Sequence, residues 1–415
     1  LTVFSPLLRG GTCPALLWPG RRHRRVMDFI ETQAAAHPEL AEGYGQLGEL
    51  FSRKLWHQLT AALSAFLSDD SNRRGRSFVD LYENFISKIE GKLNQLEFAK
   101  MVGIIAQSFP EPQATFQFFE ATLERRNRLG VEATLYLEIL LLLAKLTLAA
   151  PGVEERAATL AEIKGALTSK RVEVDALQGL MDPCVHSAYY QLATQFHKEV
   201  GPPEAYYKSA LMLIAYTPMD SLKPEQALAL ATDMSLAALS GDGLYNFGEV
   251  LATPIVSVLE GTPNHWLGDL LRCFNRGDMD EFNTILERNR EAYNAQPALQ
   301  MRHEFVKEKL ALLAFMNFVF ETPSHERTIT FADIASRTKL PLDKVEWLVM
   351  RSMSLGLIKG VLDEVDGVVH VQWVQPRVLD SEQLKHLVLR LGEWSEKVTA
   401  TSRFLEDETL ELLGS

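Results

Sequence analysis

The spacing that points most directly to chemistry is Gly43 to Gly48, GYGQLG, which matches the pattern G-x-G-x-x-G. In a dinucleotide-binding site these glycines form the turn between a strand and a helix whose N-terminus faces the pyrophosphate. Here the preceding residues, AAAHPELAE, are polar and helix-prone, and no β-α-β pattern follows. We therefore interpret the segment as part of a helical region and not as a nucleotide site.

Other candidate catalytic or metal-binding groups are isolated. Cys184 and His186 lie close together, but no second Cys/His pair follows at zinc-finger spacing, so two buried or half-buried side chains are the simpler interpretation. The sequence HER at 325–327 lacks the second histidine of a zinc protease, and there is no Walker A loop and no G-x-S-x-G motif. We expect no enzymatic activity, no cofactor and no metal.

Composition and charge restrict the class of protein further. The 415 residues carry a net charge of −12, which argues against broad affinity for nucleic acid or anionic lipid. No charge-free apolar run reaches the roughly 20 residues that cross a bilayer; the longest candidate, 136–150, contains Glu138 and Lys145. Three cysteines cannot form a disulfide framework, which favours a reducing compartment.

Residues 1–26 differ from the rest, with five arginines and no acidic residue. A transit or signal peptide has this charge bias, but the stretch is rich in Gly and Pro and shows no amphipathic helical period. Residue 1 is not Met, whereas Met27 opens a helical pattern. We expect 1–26 to be a disordered extension, or one wrongly joined to the chain, outside the folded body.

From residue 27 to about 320 the pattern is helical. Apolar residues recur at three- and four-residue spacing, and Gly- or Pro-containing breakers separate segments of 12 to 20 residues. An example of the spacing is the series Leu47, Leu50, Phe51, Leu55, Leu59 and Leu63. This pattern predicts paired helices stacked as an α-solenoid over 27–204 and a further helical subdomain over 205–327. The run at 305–320 is apolar over much of its circumference, which predicts a central helix.

The pattern changes at residue 328. A short extended stretch at 328–331, two helical segments and two β-rich runs separated by DEVDG follow in the order of a winged helix–turn–helix, which we assign to 328–377. Winged helices commonly read DNA, so we counted charges over 328–380 and found six basic and seven acidic residues. Three of the acids lie at the wing tip, where a DNA-binding wing would meet phosphates, so nucleic-acid binding is the less favoured alternative.

The β-rich runs 357–362 and 368–373 predict a small sheet with an exposed edge. Unpaired edge strands recruit strands of other chains unless they are covered. We therefore predict a protein interface at this edge, formed by Leu357, Val361, Val369, Val371 and Trp373.

Residues 378–415 return to a helical pattern with a heptad seam. The spacing of apolar residues alternates between three and four over three heptads, which is typical of a bundle helix. An isolated helix of this length is marginally stable in water, so its seam should be buried, either on the protein's own body or, as we favour, in a bundle with other chains. The predicted contact residues are Leu384, Leu387, Leu391, Trp394, Val398 and Leu405.

Helical repeats, winged helix and terminal helix in this order resemble the PCI family, named for the proteasome lid, the signalosome and initiation factor three. PEAYYKSALMLIAYTP (203–218) and LLRCFNRGDMDEFNTIL (270–286) are similar to the helical half of its domain. The resemblance covers roughly 53–380 and is most specific to a proteasome-lid subunit in five blocks, 53–60, 81–87, 245–251, 348–360 and 362–380.

The resemblance implies a mainly α fold: an α-solenoid, a PCI domain made of a helical subdomain and a winged helix with a small β-sheet, and a long C-terminal helix. It also implies a non-catalytic scaffold in a hetero-oligomer of the cytoplasm and nucleus. The implied partners are other lid PCI subunits and the lid deubiquitinase module, with a ubiquitin receptor as a further candidate and neither nucleic acid nor membrane. Two alternatives remain. The chain could be a PCI subunit of another complex, such as the signalosome or an initiation factor, or it could be a winged-helix nucleic-acid adaptor.

Overall fold

The computed structural model describes residues 21–73, 76–125, 129–148, 153–177, 182–323, 327–378 and 381–408. Residues 1–20, the larger part of the predicted extension, lie outside them. Contacts divide the chain into two compact units, 1–192 and 193–415, so the division falls within a helix, twelve residues before the domain boundary that we placed after residue 204.

The first unit consists of consecutive helices that pack on their sequence neighbours, as expected for helical repeats. Its helices are α1 (Arg21–Ala36), α2 (Ala41–Ser52), α3 (Trp56–Ser68), α4 (Ser77–Leu81), α5 (Ser87–Ile89), α6 (Gln95–Ala106), α7 (Pro112–Leu123), α8 (Val131–Leu148), α9 (Val153–Ala176) and α10 (Cys184–Glu199), the last of which crosses the division. Between α4 and α5 the chain forms a π-helical turn, Tyr82–Ile86.

The start of α1 differs from the sequence prediction. The helix begins at Arg21, six residues before the boundary at Met27, and Val26 is buried in the core of the unit. Residues 21–26 therefore belong to the folded body, and their prediction as a disordered extension is wrong. The arginines had obscured the helical pattern because they leave few apolar positions in this first turn and a half.

The long apolar run in α8 is a buried helix of the first unit. Its charged residues are paired with the neighbouring helix: Glu138 with Lys170, and Lys145 with Glu162 at 3.2 Å. Among the described residues, none of the helices combines the length and the apolar character that crossing a membrane requires.

The helical part of the second unit surrounds one central helix. Its helices are α11 (Pro203–Tyr216), α12 (Pro224–Ser240), α13 (Phe247–Ala252), α14 (His265–Arg276), α15 (Met279–Arg288), α16 (Arg290–Asn294), α17 (Pro297–Met301) and α18 (His303–Glu321). Every residue of α18 from Lys309 to Asn317 is buried, which confirms that the apolar run at 305–320 forms a central helix.

The sharp turn between α14 and α15 follows from two residues. Gly277 ends α14 in the left-handed conformation (φ 70°), where an added Cβ would lie 2.7 Å from the backbone of Ala314. Asp278 caps α15 by accepting the backbone amides of Asp280 and Glu281 at 2.9 and 3.1 Å.

The chain then forms the predicted winged helix, β1 (Thr328–Thr330), α19 (Phe331–Thr338), α20 (Leu342–Ser354), β2 (Ile358–Asp363) and β3 (Val368–Val374), followed by α21 (Ser381–Glu408). The three strands pair antiparallel in the order β1-β3-β2. The two β-rich runs, predicted at 357–362 and 368–373, match β2 and β3 to within one residue at each end.

Candidate functional site

The strand that we predicted to lie at the sheet edge lies in the middle of the sheet. β3 pairs with β1 on one side and with β2 on the other, and Val369 and Val371 are buried in the core with Ile329. The prediction that these two valines form an exposed edge is therefore wrong. Alternation shows which side chains share a face, but only the long-range pairing of β1 decides which strand is central.

Leu357 is likewise buried, at 2% exposure, immediately before β2. Its carbonyl accepts the backbone N–H of Gln375 at 2.8 Å, beyond the end of β3. Leu357 thus supports the sheet and the chain that leaves it, and it is not part of an exposed edge.

The sheet has two edge strands, β1 and β2, and two of the predicted residues remain accessible on or beside β2. Val361 is 56% exposed and Trp373, on the neighbouring β3, is 38% exposed. The ammonium of Lys359 lies 5.0 Å from the centre of the Trp373 ring. Among the described residues β3 is the only strand paired with β2, so the other edge of β2 has free backbone groups.

A β-bulge shapes this edge. The register between β2 and β3 shifts between Lys359 and Gly360, so that Lys359 faces Trp373 and Gly360 faces Val371. A Cβ on Gly360 would lie 2.3 Å from the carbonyl oxygen of His370, so this close approach requires glycine.

The wing tip is acidic and tightly turned. The Asp363 carboxylate accepts the backbone amides of Val365 and Asp366 at 3.0 and 3.2 Å, and Gly367 closes the turn at φ 64°. Three carboxylates at the tip would repel nucleic-acid phosphates, in agreement with the charge argument.

Sequence reasoning missed two exposed apolar side chains on α20. Trp347 and Met350 are 48% and 50% exposed, whereas Val345, Leu348, Val349 and Ser352 form the buried face. The signal in the sequence was that these two apolar residues are three positions apart and do not belong to the series that forms the buried face. Together with Val361 and Trp373 they give the winged helix exposed apolar groups that its own core does not use.

The predicted seam of α21 is uncovered. Side chains are exposed at every position for which exposure is described between 384 and 406. No described residue covers α21, so the described residues do not show the helix packed on the protein's own body, which was the alternative to a bundle with other chains. The exposed fractions run from 40% for Leu387 to 65% for Trp394, with the remaining seam residues between them: Leu384, Leu391, Val398 and Leu405.

Two of the segments considered for chemistry lie in helices, GYGQLG in α2 and Cys184 at the start of α10, whereas residues 325 and 326 of HER lie outside the described residues. GYGQLG lies inside α2, where a Cβ on Gly43 would lie 2.9 Å from the Phe66 ring, so the glycine permits close packing on α3. Burial raises the pKa of the Cys184 thiol to about 11 and that of Cys273 to about 12. An activated cysteine nucleophile instead has a lowered pKa, so neither thiol has the environment of one. Across the described ranges, no three His, Cys, Asp or Glu side chains are grouped as metal ligands.

Comparison with known proteins gives two adjacent family matches. Residues 43–271 match the family described as PSD13 N-terminal repeats, and residues 286–373 match the PCI domain. With the helices and the small antiparallel sheet, these matches confirm the predicted fold class: helical repeats, a PCI domain and a C-terminal helix.

Similar proteins span nearly the whole chain. The 26S proteasome non-ATPase regulatory subunit 13 homolog B of Arabidopsis thaliana is 36% identical over 395 residues, covering 94% of this chain and 100% of the relative. The 26S proteasome non-ATPase regulatory subunit 13 of Dictyostelium discoideum is 31% identical over 390 residues, covering 94% and 99%. Eukaryotic translation initiation factor 3 subunit M of Nematostella vectensis is 25% identical over 205 residues, covering 49% of this chain and 50% of the relative.

The repeats match covers more than half of the chain, and the proteasome relatives are matched from end to end. This chain therefore belongs to the family of the 26S proteasome non-ATPase regulatory subunit 13.

Proposed function

We propose that the chain is a non-catalytic scaffold subunit of the 26S proteasome regulatory-particle lid, where it supports assembly and, through it, ubiquitin-dependent protein degradation. The relatives that match the whole chain are named as non-ATPase regulatory subunits of the 26S proteasome. These names support a place in the proteasome over a place in another PCI assembly. The match to an initiation-factor subunit reaches only half of the chain and makes that assembly the second candidate.

The observation that carries the proposal is the uncovered seam of α21. A helix with six apolar seam residues at least 40% exposed leaves a continuous apolar strip in water. Such a strip is stabilised when facing helices bury it, at about 25 cal/mol per Å² of apolar surface. We propose that α21 joins a helical bundle with the C-terminal helices of other lid subunits.

The exposed β2 edge supplies a second contact. Free backbone groups on β2, with Val361 and Trp373 beside them, suit a neighbouring PCI subunit better than a phosphate backbone, because the adjacent wing tip is acidic. The proposed partners are lid PCI subunits and the deubiquitinase module, with a ubiquitin receptor as a further candidate, in the cytoplasm and nucleus.

The test is to tag the chain ahead of α1, purify it gently from its own cells and identify what accompanies it. We expect a megadalton particle that degrades ubiquitinated substrates, and we expect this association to be lost when the chain is truncated after residue 380. Recovery of a lone chain, or of one carrying RNA, would contradict the proposal. Full incorporation of the truncated chain would refute the role of α21.

A further inference from the structure

The four residues 375–378, which we call the strap, connect β3 to the last helix. Only residues 379 and 380 separate the strap from Ser381, the first residue of α21. The strap has no regular secondary structure of its own, yet three different elements of the second unit hold it.

The first two contacts hold the beginning and the middle of the strap. The backbone N–H of Gln375 donates to the carbonyl of Leu357, ahead of β2, at 2.8 Å. The guanidinium of Arg377 lies 5.4 Å from the centre of the Phe320 ring on α18, within the range of a cation–π contact.

The third contact holds the end of the strap against α13. The backbone N–H of Val378 donates to Oδ1 of Asn246 at 3.2 Å. Beside it, Gly248 approaches so closely that an added Cβ would lie 2.5 Å from the Val378 carbonyl oxygen and 3.1 Å from its Cβ. Any side chain at position 248 would displace the strap, since a backbone oxygen cannot yield as a flexible side chain can.

We propose that Asn246 and Gly248 form a latch that fixes the root of α21, so that they are positioning residues for incorporation into the assembly. This inference rests on the proposed function of α21. A bundle helix finds its partners with a smaller loss of conformational freedom when its root is held in one place. The latch residues touch no proposed partner; they act through the strap.

The choice of glycine supports the inference. Gly248 is the second residue of α13, and alanine at this position would remove excess conformational freedom of the unfolded chain. Glycine is therefore the less stabilising choice for the chain alone, and the close approach of Val378 is the feature of the structure that accounts for it.

The test compares Gly248→Ala with Gly268→Ala in the full-length chain. Gly268 lies in α14, where an added Cβ meets nothing closer than 3.9 Å, so this variant is the matched control. We expect hydrogen–deuterium exchange of a peptide covering 375–378 to accelerate about tenfold or more in Gly248→Ala only, as overpacking shifts the latch towards the open state. Recovery of the chain with the particle should fall in the same variant.

A second pair of variants separates the latch from a general folding defect. Asn246→Ala removes the acceptor for Val378, whereas Asn246→Asp keeps an acceptor oxygen. We expect faster exchange and lower incorporation for Asn246→Ala, with recovery of both for Asn246→Asp. Faster strap exchange with normal incorporation, or no change in exchange, would overturn the latch. Normal incorporation of the chain truncated after residue 380 would instead overturn the proposed role of α21, on which the latch rests.

Discussion

At the scale of single residues, Lys309 has the most unusual environment in the second unit. Its ammonium is fully buried and donates at 2.7 and 2.8 Å to two carbonyls at the C-terminal end of α12, those of Ala238 in the last turn and of Gly241 just after the helix. It also lies 5.2 Å from the centre of the Phe247 ring. These contacts connect the central helix α18 to the end of α12 and the start of α13, next to the latch.

Burial lowers the pKa of Lys309 to about 7, with Arg302 acting in the same direction and Asp242 and Glu204 opposing it. Since the unfolded lysine has a pKa near 10.5, the unfolded state binds more protons between about pH 7 and pH 10. The contribution of Lys309 to the free energy of unfolding should therefore rise with pH in this window, by at most about 1.4 kcal/mol per pH unit.

The first prediction compares urea unfolding of the native chain and of Lys309→Met at pH 7, 8 and 9. We expect the difference in unfolding free energy to shift in favour of the native chain as the pH rises. Lys307→Met, an exposed position on the same helix, is the control and should show no such trend. A pH-independent difference for Lys309→Met would mean that the buried amine does not titrate in this range.

At the scale of elements, α21 and the exposed strand β2 are the two segments that we propose contact other chains. Each has exposed apolar side chains, and each offers a position on the same element or turn where an equivalent substitution should be harmless. Such pairs separate an interface effect from a folding effect.

The second prediction concerns the seam. Leu387→Asp with Leu391→Asp should abolish incorporation, because a bundle would bury unpaired carboxylates at a cost of several kcal/mol. The unfolding midpoint of the isolated chain should not change, since both positions are exposed in it. Leu389→Asp, 66% exposed and outside the heptad seam, is the control and should incorporate normally. Unfolding of the isolated double variant would show that the helix packs on its own chain.

The third prediction concerns the β2 edge. Val361→Lys should weaken pairing with a neighbouring subunit and lower the amount of chain recovered with the particle, because charged residues discourage edge pairing. Val365→Lys at the wing tip, where Val365 is 95% exposed, should have little effect. Equal incorporation of both variants would remove the edge as a contact. The variant Val371→Pro would not test the edge, because it would disturb the buried interior of the sheet, where the Val371 N–H donates to the Arg327 backbone carbonyl at 2.9 Å.

At the scale of the whole molecule, the acidic charge separates the two broad functions of a winged helix. The net charge is −12, and the wing tip adds three carboxylates at the position where a DNA-binding wing would approach phosphates. Affinity for nucleic acid normally depends on several Lys or Arg contacts to phosphate and falls steeply with salt.

The fourth prediction follows from this charge. In gel-shift experiments with duplex DNA and with RNA, the purified chain should produce no shift even at low ionic strength. Salt-sensitive binding would reopen the nucleic-acid alternative. A variant with Asp363, Glu364 and Asp366 replaced by Asn, Gln and Asn would then show whether the wing tip opposes that binding.

The local elements of this protein can be predicted from its sequence, because the signals for them are short-range. The apolar run at 305–320 indicated α18, and the β-rich runs located β2 and β3 to within one residue. The heptad spacing likewise identified the α21 seam, because it depends only on residues three and four apart.

Features that depend on contacts between distant residues become visible only in the folded chain. The pairing of β1 with β3 places β3 in the centre of the sheet, with Val369 and Val371 buried and β2 at an edge, although β1 and β3 are about 40 residues apart in the chain. The approach of Val378 to Gly248 and the burial of Lys309 have no local sequence signal for the same reason. Periodicity reports which face of an element is apolar, whereas only the folded chain specifies what that face contacts.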